Sequence, residues 1–199
     1  MSPAAAPSST DGRVARGERT RTAIVAAFLD LLTEGSEQPT SREIAGRAGV
    51  SVRSIFQHFE DLESVRVDVV RIQSERLRPL LGSLRADGDR DERVSALVAQ
   101  RARLFEYIAP LRRAMEGIDR SEVITRGRAE LSDLLDRQAT DQFHDELQSI
   151  PRGRRPAVRA ALAAVGSYEY WDQLRRGQGL TETAARRALA EALDALVPH

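Results

Sequence analysis

An all-α fold is what this chain predicts, on three observations. Apolar residues recur at helical spacing along most of its length. No segment alternates apolar and polar residues as a half-buried strand does. Capping residues and glycines punctuate the apolar runs at helix-length intervals. The pattern reads as about nine helices, with an N-terminal three-helix head and a longer helical body.

Residues 1–17 are rich in Pro, Ala, Ser, Gly and Arg without periodicity, and read as a disordered arm. A first helix is expected from Glu18 to Glu34, where Ile24, Ala27, Phe28, Leu31 and Leu32 form one apolar stripe and Gly35 ends the run. Thr40 and Glu43 have capping-box spacing and open a second helix with Ile44, Ala45 and Ala48 inward. Gly49 permits a turn, and Ser51 caps a third helix whose apolar positions are Ile55, Phe56 and Phe59. The small residues Ala45 and Ala48 allow the close crossing of a helix-turn-helix.

A fourth helix is expected from Asp61 to Leu77, ended by Pro79 and Gly82. After the polar segment DGDRD, a fifth runs from Glu92 to Ile108, and Pro110 begins a short sixth that Gly117 breaks. Asp119 is placed to cap a seventh reaching Gln148. The segment 151–156, PRGRRP, reads as a linker. From Pro156 to Arg176 the residues are apolar or small on nearly all sides, which predicts burial on more than one face. Thr181 caps a last helix striped by Ala185, Leu189, Leu193 and Leu196. Two adjacent apolar helices at the C-terminus predict self-association as a bundle.

Composition narrows the class. The 199 residues are 41% hydrophobic, enough for a core, and no run of about 18 apolar residues offers a membrane span. Cysteine is absent, which excludes disulfides and thiolate metal sites, and the first residues lack the apolar stretch of a secretory signal. A cytoplasmic protein without membrane association is the expectation. Net charge is zero, but residues 12–29 carry Arg13, Arg16, Arg19 and Arg21 against Glu18, and residues 38–59 carry Arg42, Arg47 and Arg53 against Glu43. This local basic stripe fits a phosphate-binding face or a plain solvated helix surface. All basic residues are arginine, so arginine identity alone marks no site.

No nucleophile elbow, dinucleotide loop or phosphate loop occurs. Asp87, Asp89 and Asp91 imitate a calcium loop, but the required glycine and glutamate positions hold Glu92 and Val98. No catalytic residue, cofactor or metal site is expected.

The segments RTRTAIVAAFLDLLTEG and TSREIAGRAGVSVRSIFQHFEDLESV, within residues 19–65, resemble the TetR family of transcriptional repressors. Beyond Val65 the resemblance is one of layout. It implies a helix-turn-helix DNA-binding domain over 18–64 and a ligand-binding and dimerisation domain over 65–199, closed by two dimerising helices. Two residues depart from the family. It usually has a tyrosine at Phe56 and a lysine at Leu62, and both commonly hold DNA phosphates.

In such a head the third helix lies in the major groove with its N-terminal part near base edges. Val52, Arg53, Ser54 and Gln57 are then the readout positions: Arg53 matches guanine, Gln57 adenine, and Val52 a thymine methyl. Thr40, Ser41, Arg42, Ser51 and His58 are candidates for phosphate contact. Thr40 and Ser51 serve as caps in either case, while His58 and Arg53 have the alternative of being ordinary surface residues.

A two-fold dimer would place two recognition helices about 34–36 Å apart on a pseudo-palindromic operator in double-stranded DNA. A small-molecule effector held by the body would release it. Tyr107, Met115, Gln138, Gln142, Phe143, His144, Tyr168 and Trp171 are the candidate pocket groups, with core or interface packing as the alternative for each. A second reading is a helical ligand- or protein-binding module that retains the head only as structure.

Overall fold

The computed structural model describes residues 9–36, 38–82, 84, 88–115 and 122–197. These form ten α-helices and no strand. In chain order they are α1 (Ser9–Thr33), α2 (Ser41–Ala48), α3 (Val52–His58), α4 (Leu62–Leu77), α5 (Arg90–Ala114), α6 (Glu122–Gln142), α7 (His144–Ser149), α8 (Arg155–Val165), α9 (Tyr168–Asp172) and α10 (Glu182–Leu196). Two compact units result: Met1–Glu75 with Pro110–Gly117, and Arg76–Ala109 with Ile118–His199.

The first unit is built on the expected stripe of α1. Ile24, Val25, Ala27, Phe28 and Leu32 pack with Ile44 and Ala45 of α2, Ile55 of α3 and the following Phe59. Val65 and Val69 of α4 complete this core, and Leu111 packs against it. The unit therefore runs past residue 64, because the third layer of its core lies on α4. Gly35 ends α1 at φ 99°, with the Ser36 amide donating to the Leu31 carbonyl at 2.9 Å. At the other end α1 begins at Ser9 rather than Glu18. No proline stands between Pro7 and Pro39, so nothing in residues 10–17 interrupts the helical ladder. Residues 1–8 of the expected arm lie outside the described residues.

In the second unit the central helix is α5. Val94, Leu97, Val98, Ala102, Leu104, Phe105, Ile108 and Ala109 are buried on several of its sides. Leu135, Ala139 and Phe143 meet them from the α6 region, with Leu162, Trp171, Leu189 and Leu193 from the last helices. The all-round burial expected for Pro156–Arg176 is thus found on α5, while Pro156, Ala157, Ala160 and Ala164 of α8 are exposed. Phe105 meets Tyr168 edge-on, with centroids 5.9 Å apart, and Trp171 at 6.4 Å. Arg90 at the start of α5 fastens the end of α10: it donates to the Val197 and Asp194 carbonyls and pairs with the Asp194 carboxylate at 2.8 Å. These bonds satisfy carbonyls that the terminus of α10 leaves open.

Three expected helices differ in extent. Pro110 sits inside α5 instead of starting a new helix. An interior proline costs about 3 kcal/mol, and burial on both sides, at Ile108, Ala109 and Met115, offsets it. The expected helix to Gln148 turns at Phe143, whose fully buried ring ends α6 and precedes α7. Its predicted cap, Asp119, lies outside the described residues. The expected Pro156–Arg176 helix breaks at Gly166–Ser167, where the Ser167 hydroxyl accepts from the Tyr170 amide at 3.2 Å and starts α9. A π-helical turn, Gln173–Gly177, follows. Arg175 in it pairs with Glu106 at 2.7 Å, and Glu106 also accepts from the Trp171 indole at 2.9 Å.

One buried cation stands in this second core. Arg101 is fully buried and donates to the Gln100 and Gln138 side chains and to the Leu135 carbonyl at 2.7 Å. Its Nε has no partner among the described residues. Burial pulls its pKa down to about 10, against the opposing charge of Asp136, so it stays protonated at neutral pH.

Candidate nucleic-acid interface

The turn between α2 and α3 is specified by local chemistry. The Glu43 amide donates to the Thr40 hydroxyl at 3.3 Å, and the Glu43 carboxylate accepts from the Thr40 amide at 2.8 Å and its hydroxyl at 2.7 Å. This is the expected reciprocal cap. The bonds from Thr40 hold the Glu43 carboxyl below its ordinary pKa. Gly49 adopts φ 68°, a left-handed position that ends α2, and the Val50 amide closes the turn on the Ala45 carbonyl at 3.0 Å. Ser51 then caps α3, accepting from the Ser54 amide at 3.1 Å.

Anchoring fixes which face of α3 is outward. Ile55 and Phe59 are buried in the first core. Val52, Arg53 and Gln57 are exposed, as are Thr40, Arg42 and Ser51, while Ser41, Ser54 and His58 are half-buried. All nine predicted contact residues therefore belong to one turn and the helices beside it. Phe56, counted with Ile55 and Phe59 among the apolar positions of this helix, is 50% exposed. Ile55 already occupies the inward direction, and adjacent helical residues do not share a face. Leu62, where the family has a lysine, packs half-buried against the head core.

Two arginines of the basic stripe are engaged elsewhere. Arg21 Nε donates to Asp68 Oδ2 at 2.5 Å, its Nη1 donates to the His58 carbonyl at 3.0 Å, and its guanidinium lies 4.4 Å from the Phe59 ring centroid. One side chain of α1 thus ties the end of α3 to α4. Arg47 makes a two-point ion pair with Glu34, at 2.7 and 2.6 Å. That bond lowers the Glu34 pKa. Arg42 and Arg53 have no side-chain hydrogen bond or ion pair among the described residues. Sequence reasoning counted all four as one stripe. Only the i, i+13 and i, i+47 separations of these pairs, too long for a helical rule, distinguish them.

The eight candidate effector residues have mixed surroundings. Phe143, Tyr168 and Trp171 are core residues of the second unit. Gln138 donates to the Leu81 carbonyl at 2.9 Å and accepts from Arg101, and buried Gln142 donates to the Arg93 carbonyl at 3.2 Å. Tyr107 is half-buried, His144 exposed, and Met115 is buried in a segment of the first unit. A cleft of about 400 Å³ in the second unit is lined by Ser149, Ile150, Arg154, Val158, Asp194 and Val197 among others. None of the eight candidates lines it.

Comparison with known proteins bears on the fold. No family model matches the chain, and no curated protein matches it. Among solved structures, a transcriptional regulator from Rhodococcus sp. Rha1 is similar over 90% of this chain and 95% of its own, with a TM-score of 0.63 at 19% identity. A gamma-butyrolactone receptor described as ArpA-like aligns over 91% of this chain and 97% of its own, with a TM-score of 0.49 at 21% identity. The chain has an all-α fold similar to that of the Rhodococcus regulator. No helix among the described residues is long and apolar enough to cross a membrane.

Proposed function

We propose that this chain is a DNA-binding transcriptional regulator, acting as a dimeric repressor that a small-molecule effector releases from a pseudo-palindromic operator. The observation that carries the reading is the α2–α3 turn. Its caps and Gly49 present Arg53, Gln57 and Val52 to solvent beside the unpaired Arg42, on a fold similar to that of a solved transcriptional regulator. An exposed helix with a guanidinium, an amide and an isopropyl group matches the donors, acceptors and methyls of the major groove.

Dimerisation is supported by α8, where Ala157, Ala160 and Ala164 form an exposed row at helical spacing. Small side chains of this kind let a second helix approach closely. The effector and its binding residues follow only by analogy with the fold.

Selection of bound fragments from the source genome tests the reading. A recovered set sharing a pseudo-palindrome, with affinity falling steeply as salt rises, is the expected result. A second reading, a binding module with a vestigial head, is favoured by Phe56, Leu62 and the internal pairing of Arg21 and Arg47. It predicts weak DNA binding indifferent to sequence, with and without small molecules present.

A further inference from the structure

We propose that Phe56 and Val52 form an apolar ridge that reads thymine C5-methyl groups in the operator, so that position 56 supplies base readout in place of a phosphate contact. The inference rests on α3 being the recognition helix.

The helix has two outward rows. Val52 and Phe56 stand four residues apart and form one; Arg53 and Gln57 form the next. Only four large hydrophobic side chains among the described residues are exposed, and two of them, Phe56 at 50% and Val52 at 36%, share this seven-residue helix. The packing of the head does not account for them, since Ile55 and Phe59 fill the core below. A phenyl ring has no hydroxyl to donate to a phosphate. Its cost in water is recovered when an apolar surface covers it.

The surroundings choose the occupant. Arg53 and Gln57 form the row beside the ridge, and neither they nor Arg42 of the preceding helix has a side-chain partner among the described residues. An apolar protein surface would bury these cations and amide without compensation. The major groove offers phosphate walls to the cations, base edges to Arg53 and Gln57, and one apolar group on its floor, the C5-methyl of thymine. The two rows then match a thymine step adjoining a base read by Arg53 or Gln57.

The test uses the full chain and a duplex selected from genomic fragments. Each thymine of that duplex is replaced in turn by deoxyuridine, which removes only the methyl, and affinity is measured at fixed salt. At one or two thymines per half-site, uracil is expected to weaken binding about fourfold, the fold-change for one buried methyl. Phe56→Ala is expected to lose this discrimination at one such position and Val52→Ala at the other, with the slope of affinity against salt unchanged. Phe56→Tyr retains the ring and is expected to keep the discrimination. A selectively bound duplex in which no thymine is sensitive overturns the proposal. Unchanged affinity of Phe56→Ala for the thymine duplex also overturns it and leaves the ridge to a protein partner. Failure to select any duplex refutes the recognition-helix reading itself and takes this inference with it.

Discussion

Arg21 of α1 and Asp68 of α4 meet at 2.5 Å, and the same guanidinium donates to the backbone carbonyl of His58. Asp68 is only 8% exposed, so the pair holds a carboxylate that water does not serve. It also fixes the C-terminal end of the short α3, which at seven residues has little stability of its own.

Arg21→Ala is therefore expected to destabilise the first unit by about 1–3 kcal/mol, since buried Asp68 is left with only the longer 3.7 Å pair to Arg71. Asp68→Asn in the Arg21→Ala background is expected to recover part of this loss. Urea unfolding of the four proteins of the cycle reads the coupling. Additive losses would show that Arg21 and Asp68 act independently.

Arg101 has a different prediction, because its partners are neutral. Arg101→Ala removes the donor to Gln100, Gln138 and the Leu135 carbonyl and leaves a cavity. A loss of about 2–5 kcal/mol is expected by denaturant titration. Its pKa, lowered to about 10 by burial, sets the sign of the pH dependence. The unfolded chain keeps this proton at higher pH than the folded one, so the burial penalty is full below pH 10 and eases only above it. Wild-type stability is thus not expected to titrate through Arg101 near neutral pH.

The arginines of the head are expected to separate by role. Arg53→Ala costs about 1–3 kcal/mol on the selected duplex and flattens sequence preference. Arg42→Ala weakens all duplexes alike and reduces the salt slope by about one. Arg47→Ala, whose charge is already matched by Glu34, is expected to change neither. Fluorescence anisotropy against selected and scrambled duplexes at several salt concentrations distinguishes the three. Equal effects of Arg47 and Arg42 would refute the distinction.

Self-association is expected to depend on α8. Ala160→Glu places a charge in the exposed alanine row without touching the core. Light scattering is expected to show a dimer for the native chain at micromolar concentration and a folded monomer for the variant. A native monomer would remove the dimer from the proposal.

The head was legible because its signals are local. Thr40 reaches only to Glu43, Ser51 only to Ser54, and Gly49 is needed where the turn demands a left-handed residue. The apolar stripe of α1 was equally readable, since helical spacing sends Ile24, Phe28 and Leu32 to one side. The outward direction of Phe56 was not legible from its apolar character, because it follows from Ile55 and Phe59 anchoring the helix. In the body the all-apolar segment after Pro156 has the pattern of the buried helix, yet mixed-polarity α5 takes the centre, with Arg90 and Arg101 each bonded to a carbonyl distant in sequence.

The order of the first helices and the caps of α2 and α3 were determined by the sequence alone, because each depends on contacts spanning a few residues. The tertiary structure decided which arginines remain unpaired, where Pro110 and Gly166–Ser167 leave or break a helix, and which face of α3 meets solvent. Those outcomes rest on ion pairs and burial between residues far apart in the chain, whose energies no local spacing rule contains.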